Sequence, residues 1–129
     1  MDKQIEAHIQ AYEAKQGIPD RLATMFTDQL LKQKVIADLQ LPADNPEAAA
    51  YFTLGLMSEI GEMLNEDKRW KDNLRLGIGD NSEGLAAAQN ELIDCWLFLI
   101  NLTLAMNVDA DKLYEMFGQK SKVVWGRIN

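Results

Sequence analysis

Apolar residues recur every three or four positions along most of the chain, and sustained alternation of apolar and polar residues is missing. That spacing builds one side of an α-helix, not one face of a strand. A first polar segment, Lys3 to Gln16, has only Ile5, Ile9 and Tyr12 as anchors and ends at Gly17. Leu22, Met25, Phe26, Leu30, Leu31, Val35, Ile36 and Leu39 then predict a helix over about Asp20 to Leu39. After the linker LPADNPE, Asn45 is a good N-cap, and Pro46 and Glu47 suit a first turn, so a third helix is expected from Pro46 to about Asp72. The glycine-rich stretch LRLGIGDNSEG ends it. Ser82 is placed to cap a fourth helix running to about Met106. Asp109 is placed to cap a last one, with Leu113, Met116 and Phe117 on one face. Pro19, Pro42 and Pro46 all fall at boundaries, and no repeat is visible. The expected fold is an all-α bundle of about five helices in one domain, residues 1–129. Residues 1–19 form a helical extension to it and 20–127 the bundle proper.

Two of these helices carry carboxylates where helices of this kind usually carry none. In the third, at about 100° per residue, Glu59, Glu62 and Glu66 share one side, flanked by Phe52 and Met63. Leu54, Met57, Ile60 and Leu64 point away and are expected to face a core. A solvated acidic face explains this helix alone well enough, since Glu is a good helix former and like charges one turn apart cost only tenths of a kcal/mol. The fourth helix, ELIDCWLFLINLTLAM, is harder to explain that way. Glu91, Asp94, Phe98 and Asn101 follow one side, while Leu92, Ile93, Trp96, Leu97, Leu99, Ile100 and Leu104 cover most of the rest. A helix apolar nearly all round is normally buried. A carboxylate on it costs several kcal/mol unless paired, protonated or bound to metal. A helix starting near Asn90 would make the two acids ordinary first-turn residues; GLAAAQN is good helix material and favours a start near Ser82, which sets them two to three turns inside.

Composition narrows the chemistry. The chain of 129 residues is 47% hydrophobic and 26% charged, ordinary for a globular protein, and its net charge is −7. That balance argues against a general grip on nucleic acid polymers or anionic membranes. The single histidine, His8, leaves no histidine-rich zinc site, no Ser-His-Asp triad and no di-iron site built on Glu-x-x-His. The single cysteine, Cys95, lies in an apolar run and reads as a small core residue. That run, Cys95 to Ile100, is bracketed by Asp94 and Asn101 and is too short to span a bilayer. The N-terminus has no signal-peptide core, so a cytoplasmic location is expected.

Acidic pairs facing each other from two antiparallel helices do not stay ionised together without cations. Their hard oxygens suit Mg²⁺ or Mn²⁺ better than zinc. Glu59, Glu62, Glu91 and Asp94 are the expected ligands, with Glu66 as an additional one. Lys68, Arg69 and Lys71 just beyond would meet phosphate, and Trp70 would stack on a base or sugar or else sit at the core's edge.

The pairs EIGE (Glu59, Glu62) and ELID (Glu91, Asp94), 28 residues apart from Met63 to Asn90, resemble the signature of the all-α NTP pyrophosphatase superfamily. That superfamily includes the MazG-like pyrophosphohydrolases and the dimeric dUTPases. NEDKRWK and KSKVVWGR are similar to segments of the dUTPase branch, although Val124 stands where that branch carries Asn. The resemblance implies Mg²⁺-dependent hydrolysis of a nucleoside triphosphate to the monophosphate and pyrophosphate. dUTP is the first choice of substrate, and dCTP or a range of dNTPs the alternative. It implies that Glu59 or Glu62 activates water and that Lys68, Lys71, Lys120 and Arg127 hold the phosphates. Gln29 and Gln33 would read the base, and Asn101 the sugar. It also implies a homodimer or homotetramer. The rival from another class is a helical interaction module without catalysis.

Overall fold

The computed structural model describes residues 20–68 and 82–128, together with Lys3, Ala7 and Gln10. Within residues 20–68 and 82–128, four α-helices follow one another: α1 (Arg21–Ala37), α2 (Pro46–Glu66), α3 (Ser82–Ala105) and α4 (Ala110–Ile128). Among the described residues the only β-type pairing is an isolated bridge between Asp44 and Met106. No described helix is long and apolar enough to cross a membrane. Most of the expected N-terminal helix lies outside the described residues, though Lys3, Ala7 and Gln10 are helical and exposed.

Local chemistry sets the helix ends. Asp20 caps α1, its carboxylate accepting from the Ala23 N–H at 3.1 Å. At the other end Asp38 adopts the left-handed conformation, φ 54°. Its N–H then donates to the Lys34 carbonyl, and the Leu39 N–H donates to that of Gln33. These bonds satisfy carbonyls the helix would otherwise leave open. Asp109 caps α4 as expected, its carboxylate accepting from the Lys112 N–H at 2.8 Å. α2 stops at Glu66, short of the expected Asp72. Glu66 and then Asp67 place negative charge at the end of a helix whose last turn has no basic residue, which opposes the helix dipole.

The chain forms two compact units: Met1–Pro46 with Thr103–Asn129, and Glu47–Leu102. In the first, α1 packs on α4, around buried Ala23, Phe26, Leu41, Leu104, Ala105 and Ala110. Backbone bonds from Ala43 to Leu104 and from Asn45 to Ala105 tie the linker to the end of α3. In the second, α2 lies against α3 around Ala48, Phe52, Ala88, Cys95 and Ile100, all buried.

Several residues expected inside are outside. Leu54 and Met57 are 67% and 63% exposed, and Ile60 and Leu64 are also exposed. On α3, Leu92, Ile93, Trp96 and Leu99 are exposed while Ile100 and Leu104 are buried. Val35, Ile36, Met116 and Phe117 are exposed as well. Helical periodicity identifies an apolar side correctly, but a helix as apolar as α2 or α3 has two such sides, and one neighbour covers only one.

Candidate metal centre

Residues of the Glu47–Leu102 unit build the centre from the close approach of α2 and α3. Gly55 lies one turn before Glu59, and Phe98 lies one turn after Asp94. A Cβ placed on Gly55 would come within 2.3 Å of the Phe98 ring. The missing side chain therefore lets an aromatic ring fill the space where α2 passes α3, immediately beside the acids. We expect Gly55→Ala to destabilise the chain by about 1 kcal/mol, overpacking outweighing the gain in helix propensity. Gly118→Ala, where nothing lies within 4 Å, should stabilise it instead. Urea unfolding midpoints check both, and adding Phe98→Leu to Gly55→Ala should recover much of the loss.

At this crossing Glu59, Glu62 and Glu91 each present a carboxylate oxygen, the three lying within 4.8 Å of one another. Glu59 and Glu91 are half-buried, and Glu62 is exposed. The Oε2 atoms of Glu59 and Glu91 are buried and have no hydrogen-bond donor. Ionised carboxylates in that position are costly, and the electrostatics record it. Burial, a hydrogen bond to Glu91 and the charges of Glu62 and Asp94 push Glu59 up to about 7. For Glu91 the hydrogen bond with Glu59 pulls downward, but burial and the charges of Glu62 and Asp94 outweigh it and the group is raised. Both carboxyls of the pair are thus pushed toward their protonated forms, and each keeps one buried oxygen without a donor.

A hard divalent cation would satisfy those oxygens. The donor set is all carboxylate and is drawn from two helices, which suits a hard divalent cation. The centre fits such an ion on two counts: the orphaned buried oxygens, and the gathering of three like-charged groups within 4.8 Å. Asp94 lies beside this group, its charge felt by both Glu59 and Glu91. Glu66 is exposed at the end of α2 and is not part of the three-carboxylate group. Cys95, next to Asp94, is buried, and burial followed by the charges of Glu59 and Asp94 pushes its thiol up. It is a neutral packing residue, as its sequence context implies.

The other residues expected around a substrate are spread more widely. Asn101, on the acidic side of α3, is only 5% exposed, and its Oδ1 has no partner. Lys68 is exposed in the turn after α2. Trp70 and Lys71 lie outside the described residues. Gln29, Gln33, Lys120 and Arg127 belong to the other unit. Gln29 is buried and its amide donates to Asp28 at 3.2 Å, while Lys120 and Arg127 are exposed on α4. Sequence reasoning missed Gly55. Its signal was a glycine inside a helix, one turn from an acid, where alanine would be the better helix former.

No family model matches the chain, and neither curated proteins nor solved structures show a match.

Proposed function

We propose that the chain is a Mg²⁺-dependent nucleoside triphosphate pyrophosphohydrolase, releasing the monophosphate and pyrophosphate. The observation that carries this reading is the trio Glu59, Glu62 and Glu91, gathered from two apolar helices with two buried oxygens left unsatisfied. The resemblance of EIGE and ELID to the all-α NTP pyrophosphatase signature supports it, since those two pairs supply all three members of the trio.

In this reading Glu59, Glu62, Glu91 and Asp94 hold the ion, with Glu66 as an outer contributor. Bound Mg²⁺, or Mn²⁺ in its place, supplies neutralisation of the phosphate oxygens and of the charge building on pyrophosphate. Glu59 or Glu62 orients the attacking water and takes its proton as the new P–O bond forms. The bond between the α and β phosphates breaks, and its electrons leave with pyrophosphate. Lys68 and Lys71 hold the phosphate tail, and Trp70 stacks on the nucleoside. Asn101 meets the sugar. A buried amide discriminates strongly, because the wrong partner leaves it unpaired. The preferred substrate on this account is dUTP, with dCTP or a broader set of dNTPs as the alternative.

Pyrophosphate release from a panel of NTPs and dNTPs, with Mg²⁺ and with EDTA, tests the reading. Metal-dependent release that is fastest with dUTP supports it in full, and another preferred dNTP changes only the base. No release from any nucleotide by the folded chain overturns it and leaves a helical interaction module.

A further inference from the structure

We propose that the seating of the Phe98 ring on Gly55 is a register lock for the metal centre: it positions Glu59, Glu62 and Glu91 and sets which size of cation they prefer. The inference rests on reading the trio as a metal centre. A Cβ at Gly55 would meet three atoms of the Phe98 ring, at 2.3, 2.6 and 2.7 Å. The ring therefore rests on the bare backbone of α2, and any side chain at position 55 would displace it. Gly61, on the same helix, is different: a Cβ there would meet nothing within 4 Å. A glycine inside a helix weakens it relative to alanine. At Gly55 the lost propensity is matched by a contact that alanine would forbid.

The contact fixes how the two helices line up. Gly55 and Glu62 are seven residues apart on α2, and so are Glu91 and Phe98 on α3. Such a step is nearly two full turns, so each pair lies on one side of its helix, about 10 Å apart along the axis. Phe98 meets Gly55 at one end of this span, and Glu91 meets Glu62 at the other. The helices thus run antiparallel, and a single register satisfies both meetings. Moving the ring off Gly55 in either direction moves Glu91 off Glu62 by the same step. Glu59, one turn after Gly55, lies inside the span and moves with it.

Spacing between the donors decides ion size. The three carboxylate oxygens lie within 4.8 Å of one another. Mg²⁺ holds oxygens at about 2.0–2.1 Å in a strict octahedron, whereas Ca²⁺ takes them at about 2.3–2.6 Å in variable arrangements. Donors held in one register by a packed ring favour the smaller, stricter ion. Donors free to shift lose that preference and accept Ca²⁺. Phe98 acts through the spacing of α2 and α3, which makes it a positioning residue.

Mn²⁺ binding to the full chain, followed by electron paramagnetic resonance with Mg²⁺ and Ca²⁺ as competitors, reads the lock without turnover. Gly55→Ala should raise the Mn²⁺ dissociation constant about tenfold or more, and should narrow the preference for Mg²⁺ over Ca²⁺. Gly61→Ala adds the same methyl group to the same helix and should change neither. Adding Phe98→Leu to Gly55→Ala frees the space for that methyl group and should restore much of the affinity. Phe98→Leu alone cannot clash and should also narrow the Mg²⁺ preference, a readout that survives if Gly55→Ala fails to fold. A folded Gly55→Ala variant with wild-type affinity and preference would overturn the lock, and so would a Phe98→Leu variant that keeps the wild-type preference. Wild type that binds no Mn²⁺ overturns the metal reading itself, and the lock with it.

Discussion

Glu91→Gln should lower metal-dependent pyrophosphate release at least about a hundredfold while leaving the fold intact, and Glu62→Gln should do the same. Losing a partner that merely supports a metal ligand already costs about 10–100-fold in metal affinity or activity, so losing a ligand costs no less. Glutamine keeps the size and one oxygen but removes the charge that binds a hard cation. The two positions test different parts of the centre. Glu91 is on α3, where its buried Oε2 has no donor, and Glu62 is exposed on α2. If both helices contribute ligands, either change is enough. Steady-state kinetics over a Mg²⁺ series check this: the apparent Mg²⁺ requirement should rise as well as kcat falling. Full activity in Glu91→Gln would remove α3 from the centre.

The second large effect is an inversion of the usual meaning of a carboxylate for stability. Glu59 titrates at about 7 in the folded chain against an ordinary 4.5. Between those values the folded state holds a proton that the unfolded state has already lost. Stability of the metal-free chain therefore falls as pH rises through this window, because the folded state must give up that proton against burial and its neighbours' charge. Glu59→Gln removes the penalty. Relative to wild type in EDTA, its melting temperature should be nearly unchanged at pH 5 and clearly higher at pH 8. Adding Mg²⁺ should raise the melting temperature of wild type at pH 8 and leave Glu59→Gln little altered. Since binding displaces the proton, Mg²⁺ affinity should fall by up to about tenfold per pH unit below 7. Thermal melts at the two pH values, with and without Mg²⁺, measure all of this. A variant less stable than wild type at pH 8 in EDTA would show that Glu59 is not under strain.

The acids were legible in the sequence because two independent periodicities agreed. Glu59 and Glu62 share a side of α2 and Glu91 lies on the acidic side of α3, and these three are the carboxylates that come together, without Asp94. Capping was equally legible at Asp109, since the chemistry of a cap is local. Exposure was not. Leu54 and Met57 have the spacing of core residues, but whether a side is covered depends on what lies across from it, which no local pattern encodes. The end of α2 was misplaced for a related reason. Helix propensity continues past Glu66, whereas the carboxylates of Glu66 and Asp67 oppose the helix dipole in the last turn itself. Gly55 was passed over because a glycine inside a helix counts only as a weak point until the ring of Phe98 is seen in its place.

The most direct test of the centre is Mn²⁺ titration followed by electron paramagnetic resonance at pH 8, which reads the metal without requiring turnover. Wild type should bind Mn²⁺, and Mg²⁺ should compete for it. Glu62→Gln and Glu91→Gln should each lose the binding, and Glu66→Gln should retain it. Wild type that leaves Mn²⁺ free in solution, or binding that survives both Glu62→Gln and Glu91→Gln, would contradict a metal centre at the crossing of α2 and α3.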